Sequence, residues 1–496
     1  MFCKNHFFQK GVFMIFELII VAIVAITFVV LFLLKDKIGI DNNNKIIKSI
    51  AIVLFVLINV RSFLNDNFIW TINGGTYGHV YYKRQDYLQS LLRWGLMVAE
   101  VSMVCAVFVK TRTIRNIAVY FGFPMVLLCV IFYSDFLTYF IENSGRAIYL
   151  SPNIRHVLFI IELSLGLIIP LLLRFVIKHK FDVKNKKEWG YFAILLPLVI
   201  ITTIPVTLPQ SLFGFTNKYM KPFTVPHLIW LFLILFIYIG LYLGFRFRNK
   251  DNRYTVILYL SLYLFLHYNQ IYLMDFNMKR LPFQLCNLGA YLILISVIIK
   301  KQSFFNFVLI ANVPGSLIAL CMPDVNEGML SYWNIHFYIE HMWVFIIPLL
   351  AVSLRIFERP KKNALKHFMI GFSCYFVVCA LGGIVANCFL YKPFDQFFNK
   401  VNYFYIFDTT VLGVLPFLNF TRYYAVTWGG YTFYPLYMLL IYILFSIYCG
   451  IFYYIYKRLC IVGDNHFEVR KMRIDMGIEQ GKYNKRIPKK DYDLEE

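Results

Sequence analysis

The sequence predicts an all-α polytopic membrane protein of about thirteen transmembrane helices, arranged as two parallel six-helix repeats plus one helix. Three observations predict it. Of 496 residues, 59% are hydrophobic and 15% charged, where a soluble domain carries about 25% charged residues, and the mean hydropathy is +0.63. The apolar residues fall into blocks of about twenty, the length that crosses a hydrocarbon core of about 30 Å. One apolar stretch also recurs with its Glu and Pro in register, the mark of a duplicated helix set.

Taken in order, the blocks give spans near 13–34, 46–64, 88–109, 116–137, 154–177, 190–209, 226–245, 254–274, 281–299, 304–321, 335–354, 367–391 and 431–456. The first is too long for a removed signal peptide and too poor in a small-residue cleavage site. Lys35 and Lys37 follow it directly, which places the N-terminus outside. Every odd-numbered connection then faces the cytoplasm, and the cations agree: six lie between Arg174 and Lys187, five between Arg355 and Lys366, and ten from Lys457 onward. That asymmetry is the positive-inside rule. The formal net charge of +22 therefore reports topology, with no basic face on a soluble domain to bind nucleic acid. The location expected is a multi-pass cell-membrane protein with its C-terminus cytoplasmic, and the abundance of Phe, Tyr, Ile, Lys and Asn points to a low-G+C bacterium.

Residues 401–420 are apolar enough for a further span, but that span would carry the ten-cation tail outside. Asp408 and Pro416 suit a re-entrant segment, where irregular backbone lies against protein or water. Residues 461–496 lack apolar periodicity and mix both signs of charge, so they read as a solvated, partly disordered basic cytoplasmic tail.

The repeat is FIIELSLGLIIPLL at 159–172 and FYIEHMWVFIIPLL at 337–350. It divides the chain into a degenerate N-terminal six-helix repeat (1–210), a second membrane domain (221–458) and the tail. Where the second copy has Glu340 and His341, the first has Glu162 and Leu163; opposite Cys286 the first has Leu92. The pattern reads as one working half and one scaffold half.

Cys286 lies about two turns inside the outer end of the ninth span, and His341 at similar depth in the eleventh. At 1.5 Å rise per residue each sits about 8–10 Å below the outer surface. Gln284, Asn287, Asn312, Asp324, Asn334, His336, Glu340, His267 and Gln270 lie near that level. Ionisable side chains in a bilayer face an interior or a water-filled cavity. A thiol beside an imidazole is a nucleophile–base pair that forms a thioester from an ester and passes the acyl group to water or an alcohol. At this depth the ester is a lipid. The same polar cluster also suits a transporter or lipid permease. Core packing of the Cys, with the His bonding between helices, leaves a non-catalytic assembly protein. The other cysteines show no zinc-type pairing with histidines, so neither a metal nor a cofactor is expected.

These residues resemble the YwaF family of bacterial integral membrane proteins and, more distantly, the vertebrate multi-pass acyltransferases that remodel ether phospholipids. FTVPHL at 223–228, RLPFQLCNLG at 280–289, the Pro323–Asp324 pair, FYIEH at 337–341 and the Asn402–Tyr403 pair carry the resemblance, which covers 223–458. It implies that Cys286 carries the acyl group and that His341 is its partner. In this reading Glu340 or Asn287 orients the base, Gln284, Asp324, His227 and Asn402 support the site, and membrane phospholipids are the partners. A related group of membrane lipid hydrolases uses Thr with His in a comparable arrangement. Two positions depart from the bacterial pattern: Gln284 stands where His is common, and Asn287 where an acidic residue is common.

Overall fold

A computed structural model of the chain describes residues 3–34, 45–64, 84–133, 151–176, 180–193, 221–274, 277–323, 332–393, 398–407, 412 and 415–479. The fold is all-α and membrane-like, as the composition requires. Contacts divide it into two units. One comprises Met1–Phe215, Leu262–Arg280 and Leu330–Tyr332; the other comprises Thr216–Ser261, Leu281–Met329 and Trp333–Glu496.

The first unit holds α1 (Cys3–Leu34), α2 (Lys45–Leu64), α3 (Arg84–Phe108), α4 (Arg112–Ile131), α5 (Pro152–Leu171) and α6 (Lys186–Ala193). From Leu96 to Val107 every side chain of α3 is buried. A helix buried on every face belongs at the centre of its bundle, and α2, α4 and α5 pack against it. Only part of the sixth expected span is seen as α6; residues 194–220 lie outside the described residues.

In the second unit, α7 (Val225–Phe245) buries only His227, Trp230 and Ile234. That narrow stripe at helical spacing leaves the other faces apolar and exposed, as lipid contact demands. The helix α8 (Lys250–Met274) contributes its first half here. It is followed by α9 (Leu285–Ile299), α10 (Gln302–Cys321), α11 (Tyr332–Ser353), α12 (Ala364–Leu390) and α13 (Pro435–Glu479). Among the described residues, seven helices are long and apolar enough to cross a membrane: α4, α5, α7, α10, α11, α12 and α13. Shorter apolar helical stretches lie in α1, α3 and α9.

Two helices share an interruption that periodicity did not reveal. A π turn, Ile117–Gly122, precedes Pro124 in α4, and another, Val308–Asn312, precedes Pro314 in α10. Proline has no N–H and its ring crowds the carbonyl four residues back. A π turn widens the helix there and accommodates both effects. Each of these helices is followed by one with an internal proline, Pro170 in α5 and Pro348 in α11.

Residues 401–433 contain no α-helix among those described. The chain makes short 3-10 turns at Tyr403–Tyr405 and Pro416–Tyr423, then a hairpin of β1 (Val426–Trp428) on β2 (Tyr431–Phe433). Gly429 and Gly430 form its turn with φ of 59° and 75°, the left-handed backbone that two-residue hairpin turns require. The expected reading of 461–496 needs correction: α13 continues to Glu479, and 480–496 lie outside the described residues. No proline interrupts 436–487, so the helix nucleated in the apolar block propagates into the charged stretch at little cost per added residue.

Candidate functional site

In the second unit Gln284, Cys286 and Asn287 stand at the N-terminal end of α9, and Asn334, His336, Glu340 and His341 in the first half of α11. Gln284 is the N-cap of α9 and has extended backbone, so Cys286 falls in its first turn. The thiol is half-buried and contacts Asn287 Oδ1 at 3.3 Å. Glu340 of α11 stands close enough to act on it electrostatically, and so does Tyr375 of α12.

His341 is buried. Its Nδ1 lies 2.7 Å from the carbonyl oxygen of Phe337. A carbonyl can only accept, so Nδ1 carries the proton and Nε2 presents its lone pair. The Phe337 ring covers the imidazole at 4.1 Å between centroids. The sequence reading gave an orienting role to Glu340 or Asn287; among the described residues the imidazole hydrogen-bonds to the backbone carbonyl of Phe337. Glu340 is next to His341 in the helix and points about 100° away, toward His336 Nε2 at 3.8 Å. Asn287 is engaged at the thiol.

Gly289 fixes the approach of the two helices. A Cβ there would stand 3.3 Å from Val344 Cγ1 of α11 and would collide with the Asn312 amide of α10. Gly289 is three residues after Cys286, and Val344 three residues after His341, so each pair shares a helix face. The two-residue connection Lys300–Lys301 makes α9 and α10 antiparallel. Cys286 thus lies one turn before Gly289 in α9, and His341 one turn before Val344 in α11. Among the described residues no hydrogen bond joins thiol and imidazole directly.

Asn312 sits one turn deeper. It is 1% exposed, and neither atom of its amide has a hydrogen-bond partner among the described residues. A buried unpaired amide costs about 1–3 kcal/mol, so its retention needs a reason. The sequence put Asn312 at this level but gave no sign that its amide is open.

The remaining supporting residues hold backbone. Gln284 donates from Nε2 to Asn402 O at 2.9 Å and accepts the Phe404 amide at Oε1 at 3.1 Å. Asn402 Oδ1 accepts from Phe407 N at 2.9 Å, and Asn387 clamps Val401 through both its amide atoms. These bonds hold Phe404 and Tyr405 in the left-handed region, at φ 51° and 56°, a conformation that costs a non-glycine residue about 1–3 kcal/mol. His227 accepts the Phe223 amide at Nδ1 and donates from Nε2 to Leu320 O, each at 2.7 Å. With both nitrogens occupied, it ties the start of α7 to the end of α10 and holds no base in reserve. Asp324 lies outside the described residues.

No curated protein and no solved structure matches the chain. Residues 222–453 match the model of the TMEM164 family, so the stretch that carries Cys286, Asn312 and His341 is similar to a family of membrane proteins.

Proposed function

We propose that the second unit is a lipid acyltransferase or transacylase. The observation that supports this reading is the close approach of α9 and α11 at Gly289 and Val344, one turn from Cys286 and from His341 in their own helices, beside the open amide of Asn312. In the first step Cys286 Sγ attacks the ester carbonyl of a phospholipid while His341 Nε2 accepts the thiol proton. The tetrahedral intermediate collapses to a thioester, and the imidazolium returns the proton to the departing lysolipid oxygen. In the second step an acceptor hydroxyl gives its proton to His341 and attacks the thioester, which releases Cys286.

Asn312 Nδ2 is the group suited to donate to the oxygen that becomes negative in each intermediate. It occupies the space of a Cβ at Gly289, about 5–6 Å from the Cβ three residues earlier on the same face. One C–O group spans that distance between sulfur and donor. Loose thiol–imidazole geometry at rest is ordinary where the catalytic bond tightens around bound substrate. The depth of the pair and the N-out topology favour a phospholipid donor of the outer leaflet over cytosolic acyl-CoA.

The test is acyl transfer in detergent or proteoliposomes between a labelled phospholipid and a lysolipid acceptor. Cys286→Ala should abolish both transfer and labelling of this site by a thiol-reactive lipid probe. Undiminished turnover in that variant ends the reading. Substrate-dependent flux that persists in Cys286→Ser, with no transfer in the wild type, favours a permease.

A further inference from the structure

The first unit, read from sequence as scaffold, contains a fully buried cluster of three charged side chains. Arg61 of α2 reaches Glu162 of α5 through Nε at 2.6 Å and Glu100 of α3 through Nη2 at 3.1 Å. The guanidinium is 9% exposed, and the two carboxylates 0% and 1%. Phe159 flanks the guanidinium at 5.8 Å.

This arrangement does not balance. Two ionised carboxylates against one guanidinium leave a net negative charge inside an apolar bundle, where an uncompensated ion is strongly disfavoured. The two carboxylates also meet on one guanidinium, at its Nε and Nη2, and two ionised acceptors crowded together repel unless a proton neutralises one of them. Glu100 Oε1 is buried, has no partner among the described residues, and stands 3.3 Å from the Cβ position of Gly166. Among the described residues no further cation pairs with either carboxylate. Cys129 of α4 faces the cluster but supplies no cation. His156 lies about 9 Å along α5 from Glu162 and is engaged at Nδ1 by Tyr133 Oη at 2.7 Å.

We propose that Glu100 and Glu162 form a buried proton-binding site, one proton shared between the two carboxyl groups against the fixed charge of Arg61. The guanidinium already fills the cationic position, which excludes a metal ion of the same charge. Each carboxyl keeps one oxygen on Arg61, so uptake and release of the proton change the charge of the cluster without breaking its frame. A scaffold would need only one carboxylate opposite Arg61; the second makes a titrating site. The inference stands independently of the chemistry proposed for the second unit.

A hydrophobic carbodiimide tests it, because such reagents add to protonated carboxyl groups in apolar surroundings and leave a stable N-acylurea. The full-length protein in detergent should be modified at Glu100 or Glu162, as read by peptide mass spectrometry, and more slowly as pH rises. Glu100→Gln and Glu162→Gln should each reduce modification of the remaining carboxyl by about tenfold or more, because it then pairs one-to-one with Arg61 and stays ionised. Arg61→Gln should leave two neutral carboxyls, both reactive. Size-exclusion profiles and thermal unfolding of each variant show that it remains folded. No modification in the folded wild type, or undiminished modification in both single Gln variants, overturns the proposal. So does protection by sodium at constant pH, which assigns the site to a metal cation.

Discussion

At the scale of the residue, the structure divides the polar side chains of the second unit by what their atoms already do. Gln284 and His227 spend every bonding atom on backbone, so neither has a lone pair or proton to lend to a substrate. The departure from His at position 284 therefore exchanges an ionisable side chain for a neutral clamp on 402–404. Cys286 and His341 keep reactive atoms, and Asn312 keeps a whole amide. A buried amide replaced by an apolar group of similar shape is nearly neutral or stabilising, whereas a donor aimed at a developing oxyanion is worth about 10²–10³ in turnover. Asn312→Leu should therefore slow acyl transfer by about that factor while leaving the melting temperature unchanged or raised. Alkylation of Cys286 should proceed as in the wild type. A variant that keeps full turnover removes Asn312 from the mechanism; one that loses thiol reactivity as well marks it as a packing residue.

At the scale of the element, the spacing of α9 from its neighbours rests on Gly289. The Asn312 amide fills the place of its missing Cβ, and Val344 stands at van der Waals distance beyond. Gly289→Ala must push α10 aside or turn the amide, and overpacking of this kind costs about 1–3 kcal/mol. The measurable outcome is a lower melting temperature with transfer activity reduced further than stability alone requires. Unchanged activity would mean that the α9–α10 spacing does not govern the site. Much at this scale was legible. Apolar length marked the all-α, membrane-like fold, with seven of the expected spans long and apolar enough among the described residues, and the recurrence of Pro170 and Pro348 pointed to paired helices before their partners α4 and α10 showed matching π turns. The π turns themselves left no mark in hydropathy, since widening a helix by one residue per turn changes geometry and not composition. The cluster of Arg61, Glu100 and Glu162 was not legible because its contacts join residues far apart in sequence. The extension of α13 to Glu479 was missed for a different reason: apolar periodicity reports burial, and a helix can continue where nothing buries it.

At the scale of the whole molecule, sidedness decides which lipids the thiol can meet. Cations govern orientation through short connections and segments close to span ends; those of 174–187, 355–366 and the stretch from Lys457 fall on one side only if 401–433 does not cross. The described backbone there is short 3-10 turns and a hairpin, with Asn387 and Gln284 holding its first residues against α12 and α9. A lipid-exposed crossing in that form would leave peptide groups unpaired in hydrocarbon, each costing several kcal/mol, which favours the reading in which the segment turns back on the side it entered. With that segment re-entrant, the positive-inside expectation puts the ten cations from Lys457 onward in the cytoplasm and the N-terminal ends of α9 and α11, with Cys286 and His341, outside. An epitope placed after Glu496 should accordingly be protected from protease in sealed right-side-out vesicles and cleaved in inverted ones, and one placed before Met1 should behave the opposite way. A membrane-impermeant thiol reagent added outside should slow later labelling at Cys286 by the lipid probe. If the C-terminal epitope is cleaved from outside while the N-terminal one is also exposed, the number of crossings is even. The acyl donor must then be sought in the other leaflet unless the thiol reagent still reaches Cys286 from outside.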